Sequence, residues 1–590
     1  MTRPRFWLVL ELLGRCYPRQ VELAAAAADS NDELADLRRA LAFLDWSADA
    51  ERRGDAETRA DAETIVRAGY GAAVLAGIGG LVCAATASSS VRALTPIAAG
   101  SLAVALGAVR LAWRGPVALA TARRTAALGT APALVARAVL RMRIEPASER
   151  AAAFAARGEG ALADDLAECV RRAEGTPRSG LEAFGATWAE WNPPLRRAVL
   201  LVEAAADAPA EEREATLDRA MDAILDGTRD RMAEFAEEVR GPTTGLYAFG
   251  VLLPLALVAV LPAGRVAGLP LSIPALVVVY DLLLPAVLIG AGGWLLVRRP
   301  AAFPPPKVSR DHPEVPDRRW ATLGAGCGAG LVGVVGTAPL PDWTRWPAVV
   351  GLAVGAGLVV RFRPVKSVRD DARAVEAHLT DALYLIGRRV GDGEAVESAI
   401  SAAGPEVAGR TGEMLTETAG VQRRLRVGVH EAFLGEYGAL ADVPSPQARS
   451  VAALLAISAR EGRPAGRAVV SMADHVADLR RVEREARREL ASVTGTLRNT
   501  AGVFGPLVGG ATVALADGMA GGTLGKPLPT AALGLAVGSY VLLLAGILTA
   551  LATGLERGLD RALVGYRVGL ALCSAVGAFL AGFVGAGFAA

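Results

Sequence analysis

The sequence is poor in the residue types that build metal and redox sites. Its 590 residues include only four histidines and five cysteines, and no two cysteines form a Cys-x-x-Cys pair. Residues dispersed in this way do not supply a His- or Cys-based zinc site or a dithiol redox centre. We therefore expect reduced structural thiols, no bound metal and no cofactor.

Motifs for nucleotide binding and nucleophilic catalysis are also missing. The closest approach to a P-loop, Ala520–Pro527, lacks the first glycine and the final hydroxyl residue of that motif. Gly328–Gly333 has the glycine spacing of a dinucleotide-binding turn, but it lies in an apolar stretch and follows no strand pattern. No Gly-x-Ser-x-Gly elbow occurs. The sequence therefore predicts no catalytic residue and favours a protein that is not an enzyme.

A concentrated basic charge is absent as well. The chain has 63 basic residues, of which only three are lysines, and 61 acidic residues, so its net charge is +2. Binding to a nucleic acid requires a clustered basic excess, because the partner is a polyanion. We therefore exclude nucleic acid as a partner.

What the chain has instead is long apolar sequence. Hydrophobic residues make up 52% of it, and the mean hydropathy is +0.34. About twenty residues cross a hydrocarbon core, and about nine stretches approach that length without the period-2 alternation of barrel strands. The prediction is an all-α, polytopic membrane protein with spans near 68–87, 93–112, 244–262, 273–297, 320–338, 347–360, 500–517, 530–553 and 568–588.

Basic residues near the ends of these stretches set the predicted orientation. The connections after the first, third, fifth and seventh stretches hold only four of them, Arg92, Arg265, Arg345 and Lys526. Nearly every other cation lies on the opposite side, and basic residues near span ends are retained in the cytoplasm. We therefore expect a cell-membrane protein whose N-terminus and two long polar regions are cytoplasmic and whose C-terminus is outside.

This orientation divides the chain into alternating polar and membrane regions. We expect N-terminal cytoplasmic helices at 1–67, a transmembrane hairpin at 68–112, a cytoplasmic helical domain at 113–243, four spans at 244–360, a second cytoplasmic helical domain at 361–499 and three spans at 500–590. Within the first region, Phe6–Leu13 lacks a clear cleavage site after it and is predicted as an amphipathic helix rather than a signal peptide.

The two long polar regions carry similar landmarks in the same order. Gly180–Phe184 in the first resembles Gly428–Phe433 in the second, and a proline-containing turn follows each. Each region then ends in a long charged helix that enters an apolar stretch containing a proline, Pro254 or Pro506. Self-similarity at a long, nearly constant offset indicates a duplicated unit. The two copies could pack as pseudo-symmetric partners.

Three segments of the second polar region resemble the type II secretion F-domain family. They are Gly393–Ile400, Gly428–Phe433 and Ala459–Gly462, which are similar to the glycine-led helix starts and the Glu-x-Gly type turn of that family. The resemblance covers about residues 130–260 and 370–520 and is greatest to the long archaeal form, which has two such domains in tandem.

The first polar region departs from the family pattern. It has Glu145-Pro146 where the second region has Gly393, and no counterpart of Glu461-Gly462 is obvious. The binding role implied by the resemblance therefore applies mainly to the second region.

Proteins of this family are the inner-membrane platforms of type II secretion and type IV pilus machines, including the archaellum and tight-adherence versions. The resemblance implies a non-catalytic platform in the lipid bilayer that binds a separate hexameric secretion ATPase from the cytoplasm. Such a platform couples the motion of the ATPase to the extraction and polymerisation of pilin-like subunits. The resemblance also favours a homodimer. It does not distinguish an adhesive pilus from a motility filament or a secretion pseudopilus.

The candidate contact surface for the ATPase combines two features of the second polar region. The segment 480–489 alternates in charge at helical spacing, which is typical either of a partner-facing helix or of a solvated one, and both interpretations stay open. The resemblance adds the Glu-x-Gly type turn. The candidate residues are Arg480, Arg481, Arg484, Glu461 and Gly462.

Asp281 is the one acidic residue predicted to lie well inside a span. A central aspartate costs about 2.5–3.5 kcal/mol on insertion scales, so the residue needs a partner or a function. It could bond to a neighbouring helix, act in pilin handling or belong to a proton path. Together with the duplicated spans, it makes a secondary transporter the alternative function, although the large polar regions weigh against that class.

Overall fold

A computed structural model of the chain describes residues 30–44, 55–87, 91–176, 179–266, 273–299, 308, 312–316, 319–461, 465–520, 530–558 and 560–589. All regular secondary structure in these ranges is helical, which confirms the all-α fold class. The predicted helix at Phe6–Leu13 and the candidate residue Gly462 lie outside the described residues.

The first half of the chain consists of a helical hairpin, a bundle and a second hairpin. Helix α1 (Ser30–Phe43) packs on the first hairpin, α2 (Asp55–Ala87) and α3 (Val91–Leu128). The first bundle contains α4 (Ala131–Ile144), α5 (Ser148–Ala155), α6 (Ala161–Ala173), α7 (Gly180–Thr187), α8 (Pro193–Asp207) and α9 (Ala210–Tyr247). The second hairpin contains α10 (Leu253–Val266), α11 (Ile273–Val277) and α12 (Leu284–Arg298).

The second half has the same order of elements. Its first hairpin is α13 (Arg319–Gly336) and α14 (Arg345–Glu376). The second bundle contains α15 (Leu379–Gly391), α16 (Val396–Glu406), α17 (Gly409–Leu425), α18 (Val429–Leu434), α19 (Pro446–Glu461) and α20 (Ala465–Asn499). Helices α21 (Gly505–Ala520) and α22 (Thr530–Arg557) follow, and α23 (Arg561–Ala589) has no counterpart among the described helices of the first half.

The spacing of the helices repeats as well as their order. Helices α4, α5 and α6 begin at residues 131, 148 and 161, and α15, α16 and α17 begin 248 residues later, at 379, 396 and 409. Helix α3 ends at Leu128 and α14 ends at Glu376, with the same offset. The repeated unit therefore includes the helix that leads into each bundle.

Sequence landmarks occupy equivalent places in the two bundles. Phe184 on α7 and Phe433 on α18 come from the two similar segments, and both are core residues with exposures of 0% and 2%. Helices α8 and α19, which begin at Pro193 and Pro446, occupy equivalent places in the order as well.

Eight of the described helical segments are long and apolar enough to cross a membrane, as in a multi-pass membrane protein. They include the short sixth predicted span, which lies within the 32-residue helix α14. The predicted span 320–338 coincides with α13, which is not among the eight, because six of its 18 residues are glycines of low hydropathy. The predicted boundaries at 67, 112, 243 and 360 lie inside continuous helices, and the bundles begin later, at Ala131 and Leu379.

Three π turns lie where helices pass through prolines. They span residues 248–252, 278–283 and 500–504, and each is followed by one residue and then by Pro254, Pro285 or Pro506. A proline has no N–H for the carbonyl four residues earlier, and its ring clashes with that carbonyl. The widened turn relieves the clash: in the first case, the N–H of Leu253 bonds to the carbonyl of Ala248. Helices α9 and α20 therefore continue into α10 and α21 without a break.

Two buried tyrosines hold the first of these junctions. In an α-helix the Gly250 carbonyl would accept from residue 254, which is a proline. The Tyr540 hydroxyl on α22 donates to this carbonyl at 2.6 Å instead. The Tyr280 hydroxyl donates to the Pro254 carbonyl at 2.9 Å, and the two tyrosine rings pack edge to face with centroids 5.3 Å apart. The tyrosines thus connect both hairpins that follow the bundles.

Glycines allow backbones to touch where α21 crosses α23. A Cβ placed on Gly510 would lie 2.0 Å from the Phe579 carbonyl oxygen, and one on Gly582 would lie 2.1 Å from the Leu507 carbonyl oxygen. Small residues permit such close packing of apolar helices, where van der Waals contact is the main source of association. Helix α23 is thereby packed closely into the second half, against α14, α21 and α22.

Replacing Tyr540 with phenylalanine should destabilise the protein. The Tyr540→Phe variant keeps the ring but removes the donor to a buried carbonyl, a loss of about 1–3 kcal/mol. We expect its thermal midpoint in detergent, followed by tryptophan fluorescence, to fall by several degrees. Tyr437→Phe is the matched control, because Tyr437 is 73% exposed, and it should leave the midpoint unchanged. Equal midpoints for both variants would contradict the role of Tyr540.

Candidate functional site

A cavity of about 1660 Å³ lies between the two bundles, and we call it the crevice. Its walls come from α3–α6 of the first half and from α14 and α18–α20 of the second, and its lining includes Arg299 and Arg557 at the ends of α12 and α22. Eleven arginines and six acidic residues line it. The crevice is therefore a basic environment bordered by both bundles and by the apolar helices.

Each bundle contributes side chains to the core of the other. Leu140 and Phe154 of the first bundle belong to the core cluster of the second, and Val482 of the second belongs to the cluster of the first. The two long helices α9 and α20 pack against each other, and Arg229 pairs with Glu485 at 3.3 Å across them. This exchange means that one bundle cannot move freely without disturbing the other.

Arg137 forms a second polar bridge between the bundles, beside the Arg229–Glu485 pair. Its guanidinium donates to the Ser450 hydroxyl at 2.9 Å and to the Phe154 carbonyl at 3.0 Å. It also lies 4.6 Å from the centroid of the Phe154 ring, within the range of a cation–π interaction. One side chain thus connects α4 to α5 and to α19 of the second bundle.

Arg480, a candidate contact residue, points back to its own chain. Its guanidinium donates to the carbonyl of Ala377 at 2.9 Å and to that of Glu376, at the C-terminal end of α14. Burial lowers the pKa of Arg480, and nearby Glu376 acts in the opposite direction. A cation at a helix C-terminus is favourable, so Arg480 connects α20 to the end of α14.

Arg481 and Arg484 differ from Arg480 in being exposed. Arg481 pairs with Glu485 at 3.4 Å, one helical turn away. Arg484 donates to the Arg480 carbonyl at 3.2 Å and also lines the crevice. Glu461 is the last residue of α19, and its side chain, like Gly462, is outside the described set. The structure therefore places three of the five candidate residues together on α20 and leaves two of those three accessible.

Asp281 lies in the π turn that precedes α12 and has a polar neighbour on another helix. The hydroxyl of Ser539 on α22 lies 3.0 Å from its Oδ1 atom. The same hydroxyl lies 2.7 Å from the Leu535 carbonyl and 3.1 Å from that of Ala536. Because a hydroxyl has one proton, these three oxygens compete for it. The contact connects two apolar helices next to the Tyr280–Tyr540 pair.

Acidic residues at the end of α22 form ion pairs with arginines from several helices. The Glu556 carboxylate lies 2.7 Å from Arg567, 3.4 Å from Arg557 and 3.9 Å from Arg498. Asp560 pairs with Arg369 of α14 and accepts from the N–H groups of Ala562 and Leu563, which caps α23.

The Asp560 carboxylate is held in its charged form. Burial alone would raise the pKa of Asp560, but the bonds from Arg369 and from the helix N–H groups outweigh it and lower the pKa. An ionised Asp560 therefore fixes α23 to α14.

Several of these residues had no signal that sequence reasoning could use. Tyr280, Tyr540, Arg137 and Glu556 carry no motif, and each acquires its role through a partner more than ten residues away in the chain. Only the two tyrosines could have been suspected of a role from the sequence, because they are polar aromatic residues inside apolar stretches. Among the described residues, no group of three or more His, Cys, Asp or Glu side chains is arranged to hold a metal ion.

Comparisons with known proteins supply no relative for this chain. No family model matches it, and no curated protein or solved structure matches it either.

The Asp281–Ser539 contact can be measured with a double-mutant cycle. Removing a carboxyl group from an apolar site also removes its desolvation cost, so Asp281→Ala alone does not isolate the contact. We expect Asp281→Ala, Ser539→Ala and the double variant to insert normally and to give a favourable coupling of about 0.5–2 kcal/mol. Stabilities would be measured by chemical denaturation in detergent. Strictly additive single effects would show that the two side chains do not interact.

Proposed function

We propose that this protein is a platform of a type IV pilus-like or type II secretion-like assembly machine in the cytoplasmic membrane. In this role it binds a hexameric secretion ATPase at its polar bundles and couples the motion of the ATPase to the extraction and polymerisation of pilin-like subunits. The protein performs no bond-making step itself, and it acts as a homodimer with two tandem F domains and nine spans, α13 being the fifth.

The observation that carries this proposal is the continuity of the two long helices. Helices α9 and α20 have 38 and 35 residues, which corresponds to about 57 Å and 52 Å of helix. Each passes through a π turn into an apolar helix, and the two pack side by side. A helix of this kind is stiff along its axis, so displacement of a bundle reaches the apolar helices rather than being absorbed in a loop.

The orientation belongs to the proposal as well. The packing of the two bundles against each other supports a topology in which both lie on the same side of the membrane. The distribution of basic residues favours the cytoplasm for that side. Residues from four different helix ends, Arg299, Arg498, Arg557 and Arg567, gather around Glu556 or the end of α22, as expected of a shared cytoplasmic boundary.

The surface for the ATPase is best assigned to the exposed side of α20. Arg481 and Arg484 are accessible there, whereas Arg480 has intramolecular partners. Charged residues outside a buried interface core mainly steer association and set its specificity. We therefore place the contact on Arg481 and Arg484, with Glu461 and Gly462 as further candidates from the resemblance.

A secondary transporter is the second candidate, and Asp281 favours it. An acidic residue among apolar helices of a duplicated unit is a feature of ion-coupled carriers. The hydroxyl of Ser539 gives Asp281 a structural partner, however, and the two large bundles have no task in a carrier. The platform function accounts for more of the chain.

Deletion of the gene in its host tests the platform function. We expect the deletion to remove surface filaments in electron micrographs and the intact gene to restore them. A variant with Arg481→Glu and Arg484→Glu should reach the membrane in normal amounts but restore few filaments, because its surface would repel the ATPase contact. Arg423→Glu with Arg424→Glu is the matched control on an exposed part of α17 and should restore filaments fully.

A negative result in the deletion strain and a negative result with the variant contradict different parts of the proposal. Filaments that persist in the deletion strain would contradict the platform function itself. Full restoration by the Arg481 and Arg484 variant, with filaments lost on deletion, would remove only this surface from the proposal. Western blots of membrane fractions would establish that all variants are present at equal levels.

A further inference from the structure

Four arginines converge at the end of the crevice nearest the apolar helices, and we call them the arginine cluster. They come from four separate elements: Arg299 follows α12, Arg373 lies on α14, Arg487 lies on α20 and Arg557 ends α22. All four line the crevice, and Arg487 interacts electrostatically with each of the other three. Distant parts of the chain thus bring like charges to one place.

The carboxylates at this place do not balance the positive charge. Arg373 lies 3.5 Å from Asp370, which also pairs with Lys366. Arg487 pairs with Glu483. Arg557 shares Glu556 with Arg498 and Arg567. Three carboxylates therefore pair with six cations, and Arg299 adds a seventh. Glu376, a fourth acid beside Arg373, accepts from the Ser445 hydroxyl and also lies near Arg480, so cations remain in excess.

Arg299 is tied to groups without formal charge. Its guanidinium donates to the Leu555 carbonyl at 2.6 Å and to the Glu556 carbonyl at 3.4 Å, at the C-terminal end of α22. Burial and, secondarily, Arg487 lower the pKa of Arg299 to about 10. The side chain is still a cation at neutral pH, so it faces Arg487 as a like charge.

Capping of the C-terminal end of α22 explains the position of Arg299 only. It does not explain why Arg373 and Arg487 face the same space, since each would be solvated at lower cost on an outer helix surface. Like charges in a partly buried site repel more strongly than in water. Guanidinium groups are also well suited to phosphate, which they bind through paired N–H donors. Basic pockets between membrane helices on the cytoplasmic side bind lipid headgroups in this way.

We propose that the arginine cluster binds a phosphate-bearing anion at the membrane-facing end of the crevice. The anion bridges α14, α20 and the ends of α12 and α22. Its phosphate is either the headgroup of an anionic lipid or part of a soluble compound, and the recognition chemistry is the same for both. This site does not depend on the platform function proposed above.

Ligand-induced stabilisation of the full chain tests the site. The first arm compares nanodiscs of phosphatidylcholine with nanodiscs that also contain phosphatidylglycerol. The second adds inorganic pyrophosphate to phosphatidylcholine nanodiscs, with sodium chloride of equal ionic strength as the reference. We expect the thermal midpoint to rise by a few degrees in at least one arm, as for a ligand that binds only the folded state.

Variants connect this rise to the arginine cluster. Arg373→Gln with Arg487→Gln should lose most of the rise, measured against its own ligand-free midpoint so that lost ion pairs do not matter. Arg481→Gln, on the same helix as Arg487 but outside the crevice lining, should keep it. A rise with phosphatidylglycerol alone identifies a lipid headgroup, and a rise with pyrophosphate identifies a soluble phosphate as a ligand.

Two outcomes would overturn the site. One is the absence of any rise in both arms, which would mean that the cluster binds no phosphate group. The other is a rise of equal size in the Arg373 and Arg487 variant and in the Arg481 control, which would place the binding elsewhere on the protein.

Discussion

The structure depends on two long helices keeping their backbone hydrogen bonds through a proline as they pass from polar to apolar sequence. Such a proline would normally kink or end the helix. A π turn at each place shifts the bonding by one residue, and at the first junction the Tyr540 hydroxyl takes over the Gly250 carbonyl. A π turn of this kind within an α-helix is often found at functional sites. The bundles and the apolar helices are consequently one continuous framework.

The repeated order of helices also explains how the two halves pack together. Because each half contains the same order of hairpin, bundle and hairpin, the two long helices meet as equivalent partners and the bundles exchange core residues such as Leu140 and Val482. Because the two bundles share core residues, a displacement of one bundle disturbs the packing of the other. The crevice is the space left between them, and its basic lining lies where both copies and the helix ends come together.

The sequence predicted the elements that follow from periodicity and composition. The all-α class, the duplication and the long helices entering proline-containing stretches were accessible because hydrophobic runs, turn residues and offsets are local or additive signals. The region boundaries predicted at 112 and 360 stay predictions, because a helix need not end where it leaves a membrane: α3 continues to Leu128 and α14 to Glu376. The span at α13 was predicted only from its apolar composition, and its glycines lower the hydropathy on which that prediction depends.

Site residues were harder to predict, because their roles arise from distant partners. Arg480 lies in a charged run whose pattern suits either a partner-facing or a solvated helix, yet it bonds to the end of α14 more than 100 residues earlier in its own chain. Tyr540 and the arginine cluster likewise depend on helices that approach only after folding. Charge patterns along one helix cannot reveal which face a second helix will cover.

The bundles can move the apolar helices together only if the two long helices lie side by side, and cross-linking measures that packing directly. In a chain without its native cysteines, Arg229→Cys and Glu485→Cys would be treated with a short bis-maleimide in native membranes and analysed by mass spectrometry. We expect an intramolecular cross-link, because the two native side chains meet at 3.3 Å. The pair Arg229→Cys and Arg423→Cys, on helices that do not pack together, should give none. Absence of the first cross-link, with both cysteines reactive, would contradict the side-by-side packing of α9 and α20.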